Sequence, residues 1–163
     1  MDETRRELLE LLRENARYEV ADLARQLGVD AETVEEHLAA LERAGVLRGY
    51  TAVVDWRNVD EERVRASVEL NVELDRETGY EDIARRIAKY PEVRELRLVS
   101  GDYDFAIEVE GESMNEVSQF ISEQIAPIPE ITQTVTHYVM ETYKEAGIDF
   151  ERADEDDRLT YSP

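Results

Sequence analysis

Leu23-Ala24-Arg25-Gln26-Leu27-Gly28-Val29-Asp30-Ala31-Glu32-Thr33-Val34 is the stretch on which the fold turns. Val20, Leu23, Ala24 and Leu27 recur at helical spacing and stop at Gly28, which can take the left-handed conformation that ends a helix. Asp30 is a good N-cap. Val34, Leu38 and Leu41 then form the stripe of a helix over residues 31–44, closed by Gly45. Upstream, Leu8, Leu9, Leu11 and Leu12 mark one side of a helix over residues 3–14, with Asp2 or Thr4 as its cap. The small Ala24 lets the third helix approach closely and Gly28 makes the turn sharp. This is the helix-turn-helix arrangement, whose second helix enters the DNA major groove. An ordinary three-helix bundle with no nucleic acid has the same spacing.

After Gly45 the pattern changes. Val46-Leu47-Arg48-Gly49-Tyr50-Thr51-Ala52-Val53-Val54-Asp55 reads as an extended strand, and residues 56–62 read as a hinge. Val64, Ala66, Val68, Leu70 and Val72 then alternate with polar residues, the mark of a half-buried strand. A helix from a Thr78 cap to Tyr90 follows, with Ile83, Ile87 and Tyr90 inward, stopped by Pro91. Strands are expected over 93–99 and 103–109, separated by the turn Ser100-Gly101-Asp102. A helix over 114–125 carries Met114, Val117, Ile121 and Ile125, and residues 131–139 form a last strand. The order βαββαβ is the ferredoxin-like plan: four antiparallel strands with two helices on one face. The fold class is therefore α+β. Residues 1–45 form the helix-turn-helix module, 46–62 a connecting strand and hinge, 63–142 the second domain and 143–163 an acidic C-terminal extension. The Val, Ile and Tyr content of the strands favours a homodimer formed sheet to sheet or edge to edge.

The chain has 163 residues, 19 Lys+Arg and 40 Asp+Glu, for a net charge of −21. Hydrophobic residues make up 42 %, enough for a core, so the charge does not imply disorder. With no Cys and two His, disulfide scaffolds, thiol catalysis and a His-rich metal site are excluded. No apolar run exceeds four residues, too short for a membrane span, and the N-terminus has no signal-peptide pattern, so a cytoplasmic location is expected. The acid is dispersed and Lys is nearly absent, only Lys89 and Lys144. That pattern suits a salt-rich halophilic cytoplasm, where the Debye length falls to about 3 Å at 1 M and self-repulsion is screened.

Three sets of residues resemble the Lrp/AsnC (feast/famine) transcriptional regulators: Leu23-Ala24…Leu27-Gly28-Val29…Thr33-Val34, then Leu41-Glu42…Gly45-Val46-Leu47…Gly49-Tyr50, and Gly101-Asp102-Tyr103-Asp104. The resemblance runs over about residues 2–142. It implies an N-terminal DNA-binding domain and a C-terminal ligand-sensing (RAM) domain. It also implies dimers that assemble further, commonly to octamers, and effectors that are usually amino acids. One departure stands out. Where the family usually carries a basic residue one turn after the Thr-Val pair, this chain reads Glu35-Glu36-His37.

Double-stranded DNA and a small effector are thus the expected partners, with no cofactor, metal or membrane. For DNA, Arg25, Arg43 and Arg48 can touch phosphates, while Thr33 and His37, one turn apart, can reach base edges or the backbone. Each Arg equally suits a surface ion pair with a nearby Glu. For the effector, Ser100, Gly101, Asp102, Tyr103 and Asp104 form the candidate turn. Gly101 exposes backbone N–H groups for a carboxylate, Asp102 or Asp104 can pair with an ammonium, and Thr134 and Thr136 offer hydroxyls. The plainer reading is a hairpin in which Asp favours the turn. His137 reads as a packed or interface residue, and Trp56 as packing at the hinge or dimer seam. Asp154-Glu155-Asp156-Asp157, flanked by Ile148, Phe150, Leu159 and Tyr161, is either a solvated tail or a docking segment. No acid/base constellation, phosphate loop or nucleophile elbow appears, so an enzyme is not expected. Siroheme decarboxylases resemble the family, but they grip a porphyrin with basic and His residues, whereas here the turn offers Asp102 and Asp104 and the second domain has only one His. The competing reading is a metabolite sensor or scaffold that does not bind DNA.

Overall fold

In the computed structural model of the chain, residues 2–150 are described, and they form two compact units that divide between Val53 and Val54. The acidic run 154–157, with Leu159 and Tyr161, lies outside the described residues.

The first unit contains α1 (Glu3–Glu14), α2 (Val20–Leu27) and α3 (Ala31–Arg43). Each boundary has a local cause. Asp2 accepts from the Arg5 N–H at 2.8 Å to start α1, and Asp30 accepts from Thr33 N–H at 2.7 Å to start α3. Gly28 ends α2 with φ of 69°, which a Cβ would strain. Leu8, Leu12, Leu23, Ala24, Val34 and Leu41 form the core, with Leu9, Leu11, Leu27, Leu38 and Leu47 packed around it. Burying them is the main stabilising term, at about 25 cal/mol per Å² of apolar surface. The strand expected over 46–55 is not formed: among the described residues this segment joins no sheet. Extended residues become a strand only when another strand hydrogen-bonds to their N–H and C=O groups.

The second unit contains β1 (Val64–Val72), α4 (Tyr80–Ile87), β2 (Val93–Leu98), β3 (Phe105–Gly111), α5 (Met114–Phe120) and β4 (Ile131–Tyr138), then a small hairpin of β5 (Lys144–Glu145) and β6 (Ile148–Asp149). The four-stranded sheet has the order β2-β3-β1-β4, all antiparallel. Ala66, Val68 and Leu70 stand opposite Val109, Ile107 and Phe105, and all six are buried under Ile83 and Ile87 of α4 and Val117 and Phe120 of α5. α5 passes into a π turn over Ile121–Ile125, in which the Ala126 N–H reaches Ile121 C=O at 2.8 Å.

Three local expectations change. α4 is capped at Gly79 rather than Thr78, because Asp75 accepts from the Glu77 and Thr78 N–H groups at 2.7 Å and holds that segment in a turn. Met114 is exposed, and Phe120 takes the core position. The uncovered sheet face is mostly polar, carrying Arg65, Ser67, Glu69, Asn71, Glu95, Arg97, Glu108 and His137, with Ala106 and Val135 among them. Most of the Val and Ile residues that suggested an apolar second face lie under the helices.

Candidate functional site

The first unit presents α3, and its exposed residues are mostly carboxylates: Glu32, Glu35, Glu36 and Glu42. The five candidate DNA residues share this unit but do not form one patch of free cations. Arg25 pairs with Asp22 at 2.7 Å on its own helix. Arg43 Nε donates to Ala39 C=O at 3.1 Å. Arg48 lies over Gly45, where a Cβ would meet its Cζ at 3.1 Å. Thr33 is engaged with Asp30 through its N–H and its hydroxyl, and together they hold the Asp30 carboxyl below the usual carboxylate range. His37 Nδ1 accepts from Arg5 Nε at 3.1 Å. Arg5 carries no signal in the sequence, since only the packing of α1 on α3 brings residues 32 apart into contact.

In the second unit the Ser100–Asp104 turn joins β2 to β3. Gly101 has φ of 149° and open space where a Cβ would stand, so the turn is sterically open on that side. Its two acids do different things. Asp104 is structural: its Oδ2 accepts from Val72 N–H at 2.9 Å and its Oδ1 from the Tyr80 hydroxyl at 3.2 Å. The same contact raises the Tyr80 phenol above its ordinary value, first through the hydrogen bond and then through the carboxylate charge. Asp102 is exposed, and among the described residues its carboxylate makes no hydrogen bond or ion pair; only its C=O is used, accepting from Asn71 Nδ2 at 2.8 Å.

Thr134 and Thr136 are not brought to this turn. They pair with Leu70 and Val68 across β1, which separates them from β3 by two strand spacings, about 10 Å. The hydroxyl that joins the network is Thr132, which donates to Asn71 C=O at 3.2 Å. Asn71, Tyr80 and Thr132 are therefore the residues that sequence reasoning missed. Their roles depend on strand register, which no local pattern announces.

Elsewhere His137 Nε2 lies 3.3 Å from Glu69 Oε1 on the uncovered sheet face. Trp56 stacks under the Arg63 guanidinium at 4.3 Å from its ring centre. Arg57 ties together Asp55, Glu141 at 2.9 Å and the Phe150 C=O at 2.7 Å. That set of acceptors, Asp55 foremost, raises an already basic guanidinium further. A cavity of about 190 Å³ beside this clamp is lined by Val54, Trp56, Arg65, Met140 and Phe150 among others. Among the described residues no helix is long and apolar enough to cross a membrane, and no group of three or more His, Asp or Glu is arranged to hold a metal ion.

Comparison with known proteins gives two matches that tile the chain. A winged helix-turn-helix DNA-binding profile matches residues 1–48, and the profile of the Lrp/AsnC ligand binding domain matches residues 65–148, a span that reaches the start of β6. An uncharacterized HTH-type transcriptional regulator of Bacillus subtilis is 34 % identical over the whole chain and 99 % of its own length. The leucine-responsive regulatory protein of Escherichia coli is 27 % identical over 90 % of this chain and 89 % of its own. Among solved structures, E. coli AsnC superposes with a TM-score of 0.66 and 26 % identity, covering 89 % of this chain and 95 % of its own. A transcriptional regulator of Neisseria meningitidis, solved as an L-Met complex, has the same fold with a TM-score of 0.70 at 23 % identity, covering 89 % and 93 %.

Proposed function

The chain belongs to the Lrp/AsnC family of transcriptional regulators, with a helix-turn-helix DNA-binding module followed by a ligand-binding module, and from that premise we propose how this member works. It reads DNA with α3 in concentrated salt, and an amino acid seated at the Ser100–Asp104 turn modulates its assembly or its DNA affinity. The observation that carries the effector part is the free Asp102 carboxylate beside the open backbone of Gly101, in a turn held rigid by Asp104. An α-ammonium pairs with Asp102, and a carboxylate takes the backbone N–H groups near Gly101. The L-Met complex of the Neisseria regulator supports an effector of this class. Thr134 and Thr136 would contribute only if a second copy brought them to a turn.

The working unit we infer is a homodimer, assembling further as the resemblance implies. Two features support it: among the described residues the strand-like segment 46–54 joins no sheet, and Val139, Met140, Tyr143 and Ile148 are exposed apolar side chains. A cytoplasm rich in salt is the setting that fits a net charge of −21 and a recognition helix of carboxylates. There the few cations near α3, Arg25, Arg43 and Arg48, can leave their intramolecular partners for phosphates, and potassium can bridge Glu to phosphate. Binding to selected duplexes across low and molar KCl tests the DNA part. A flat or rising affinity is expected, and collapse at high salt by ordinary counterion release overturns it. If no duplex is retained at any salt while amino acids still stabilise the protein, the chain is a metabolite sensor that does not bind DNA.

A further inference from the structure

On α3 the side chains able to donate a hydrogen bond are few. Glu32, Glu35 and Glu36 only accept when ionised. Thr33 is engaged with Asp30, and Arg43, in the last turn of α3, donates its Nε to Ala39 C=O and keeps its other N–H groups for phosphate rather than for the middle of the helix. His37 remains, and a neutral imidazole donates from only one of its two nitrogens. The fold makes that choice. Arg5 Nε, from the first turn of α1, donates to His37 Nδ1 at 3.1 Å. A guanidinium carries donors only, so Nδ1 offers its lone pair and the ring proton sits on Nε2. Arg5 is fixed in turn by Asp2. One carboxylate oxygen of Asp2 accepts from the Arg5 backbone N–H at 2.8 Å, and the other lies 3.4 Å from Arg5 Nε.

We propose that Arg5 is a positioning residue for DNA reading: anchored by Asp2, it holds His37 with Nδ1 turned to Arg5 and the ring N–H on Nε2, an N–H donor on an acidic helix. The proposal rests on the reading of α3 given above. The complementary group on DNA is an acceptor: a purine N7 or guanine O6 on a base edge, or a phosphate oxygen. The lock also sets what is refused. The amino groups of cytosine and adenine are donors and meet another N–H. Asp2 and Arg5 in the first turn of α1 and the distant His37 on α3 thus act as a chain whose last member is the one that reads.

The test uses the full chain in molar KCl. Long-range imidazole proton–nitrogen NMR correlations, with His137→Gln to assign the two rings, report which nitrogen of His37 carries the proton. Nε2–H is expected in the wild type and in Arg5→Lys, which keeps a cationic donor. Arg5→Met is expected to release the ring to a mixture of tautomers. On a duplex selected by the wild type, Arg5→Met and His37→Phe should each weaken binding about fivefold, and the double variant no further. A 7-deazapurine that abolishes the His37 effect identifies a base edge, and a methylphosphonate that does so identifies a phosphate. An Nδ1–H wild type, a tautomer indifferent to Arg5→Met, or additive losses overturn the lock. Failure of the wild type to hold any duplex sinks the DNA reading instead, because the tautomer is measured on the free protein.

Discussion

Replacing Asp104 and Asp102 separately should split structure from binding within one five-residue turn. Asp104→Ala removes two acceptors at once. The Val72 N–H, at 2.9 Å from a carboxylate oxygen, lies in a half-buried position at the end of β1 and loses a charge-assisted bond, about 2 kcal/mol. The Tyr80 hydroxyl, at 3.2 Å, loses a weaker one. The loss at Val72 alone, about 2 kcal/mol, lowers the melting temperature of a unit this size by about 10 °C. Asp104→Asn should cost under about 1 kcal/mol, because the amide oxygen can keep the Val72 N–H while its NH₂ donates to the tyrosine oxygen. Asp102→Ala removes a carboxylate that makes no hydrogen bond or ion pair among the described residues, and should stay within about 0.5 kcal/mol of wild type. Calorimetry of the full chain in molar KCl, with and without a panel of amino acids, reads all three variants. Asp104→Asn should retain the effector-induced rise in melting temperature, and Asp102→Ala should lose it. An Asp104→Ala protein that melts with wild type, or an Asp102→Ala protein that melts as low as Asp104→Ala, refutes the division of labour.

Three further outcomes follow from the same geometry. Asp30→Ala removes the cap of α3 and should lower the melting temperature of the first unit by a few degrees, measured by circular dichroism. Because the Asp30 carboxyl is held below its unfolded value, its contribution is present above the usual carboxylate range and is lost as pH falls through the folded value, so wild type and variant should converge in acid. At the other extreme, Tyr80 is raised, so its contribution is intact below the usual tyrosine range and is lost as pH rises past the folded value. Tyr80→Phe should flatten that alkaline loss in a pH-dependent unfolding series. Val68→Ala, at the fully buried centre of β1, should cost about 2–3 kcal/mol by urea unfolding, and a smaller loss would mean that the core collapses around the gap.

The helical module was legible almost to the residue, because its signals are local: Asp30 accepts from a neighbour three residues on, and Gly28 takes the conformation that only its own backbone requires. The strands were equally plain, since Val64 to Val72 alternate and the alternation survives in the burial of Ala66, Val68 and Leu70. What stayed hidden depends on partners distant in the chain. Residues 46–55 have strand-like composition, but composition does not supply the neighbour that a strand needs. Thr134 and Thr136 looked near the turn until the register put β1 between them and it. Asp104 looked like a ligand group because a sequence cannot show that Val72 and Tyr80 already occupy both its oxygens. The Arg5–His37 contact belongs to the same class: it exists only once α1 has packed on α3.

The wide turn after α5 is one residue longer per hydrogen-bonded ring than a helix. Along a regular helix the eight steps from Val117 to Ile125 would leave the isoleucine about 80° away from the sheet-facing direction. The turn takes up that excess, so that both side chains stay buried. Delete the exposed Ser122, and seven ordinary steps bring the same isoleucine within about 20° of Val117. Two chain lengths therefore satisfy one interior, and a codon lost between 121 and 125 goes unnoticed by the residues beneath it. Length variation among chains of this fold is expected to collect at that spot.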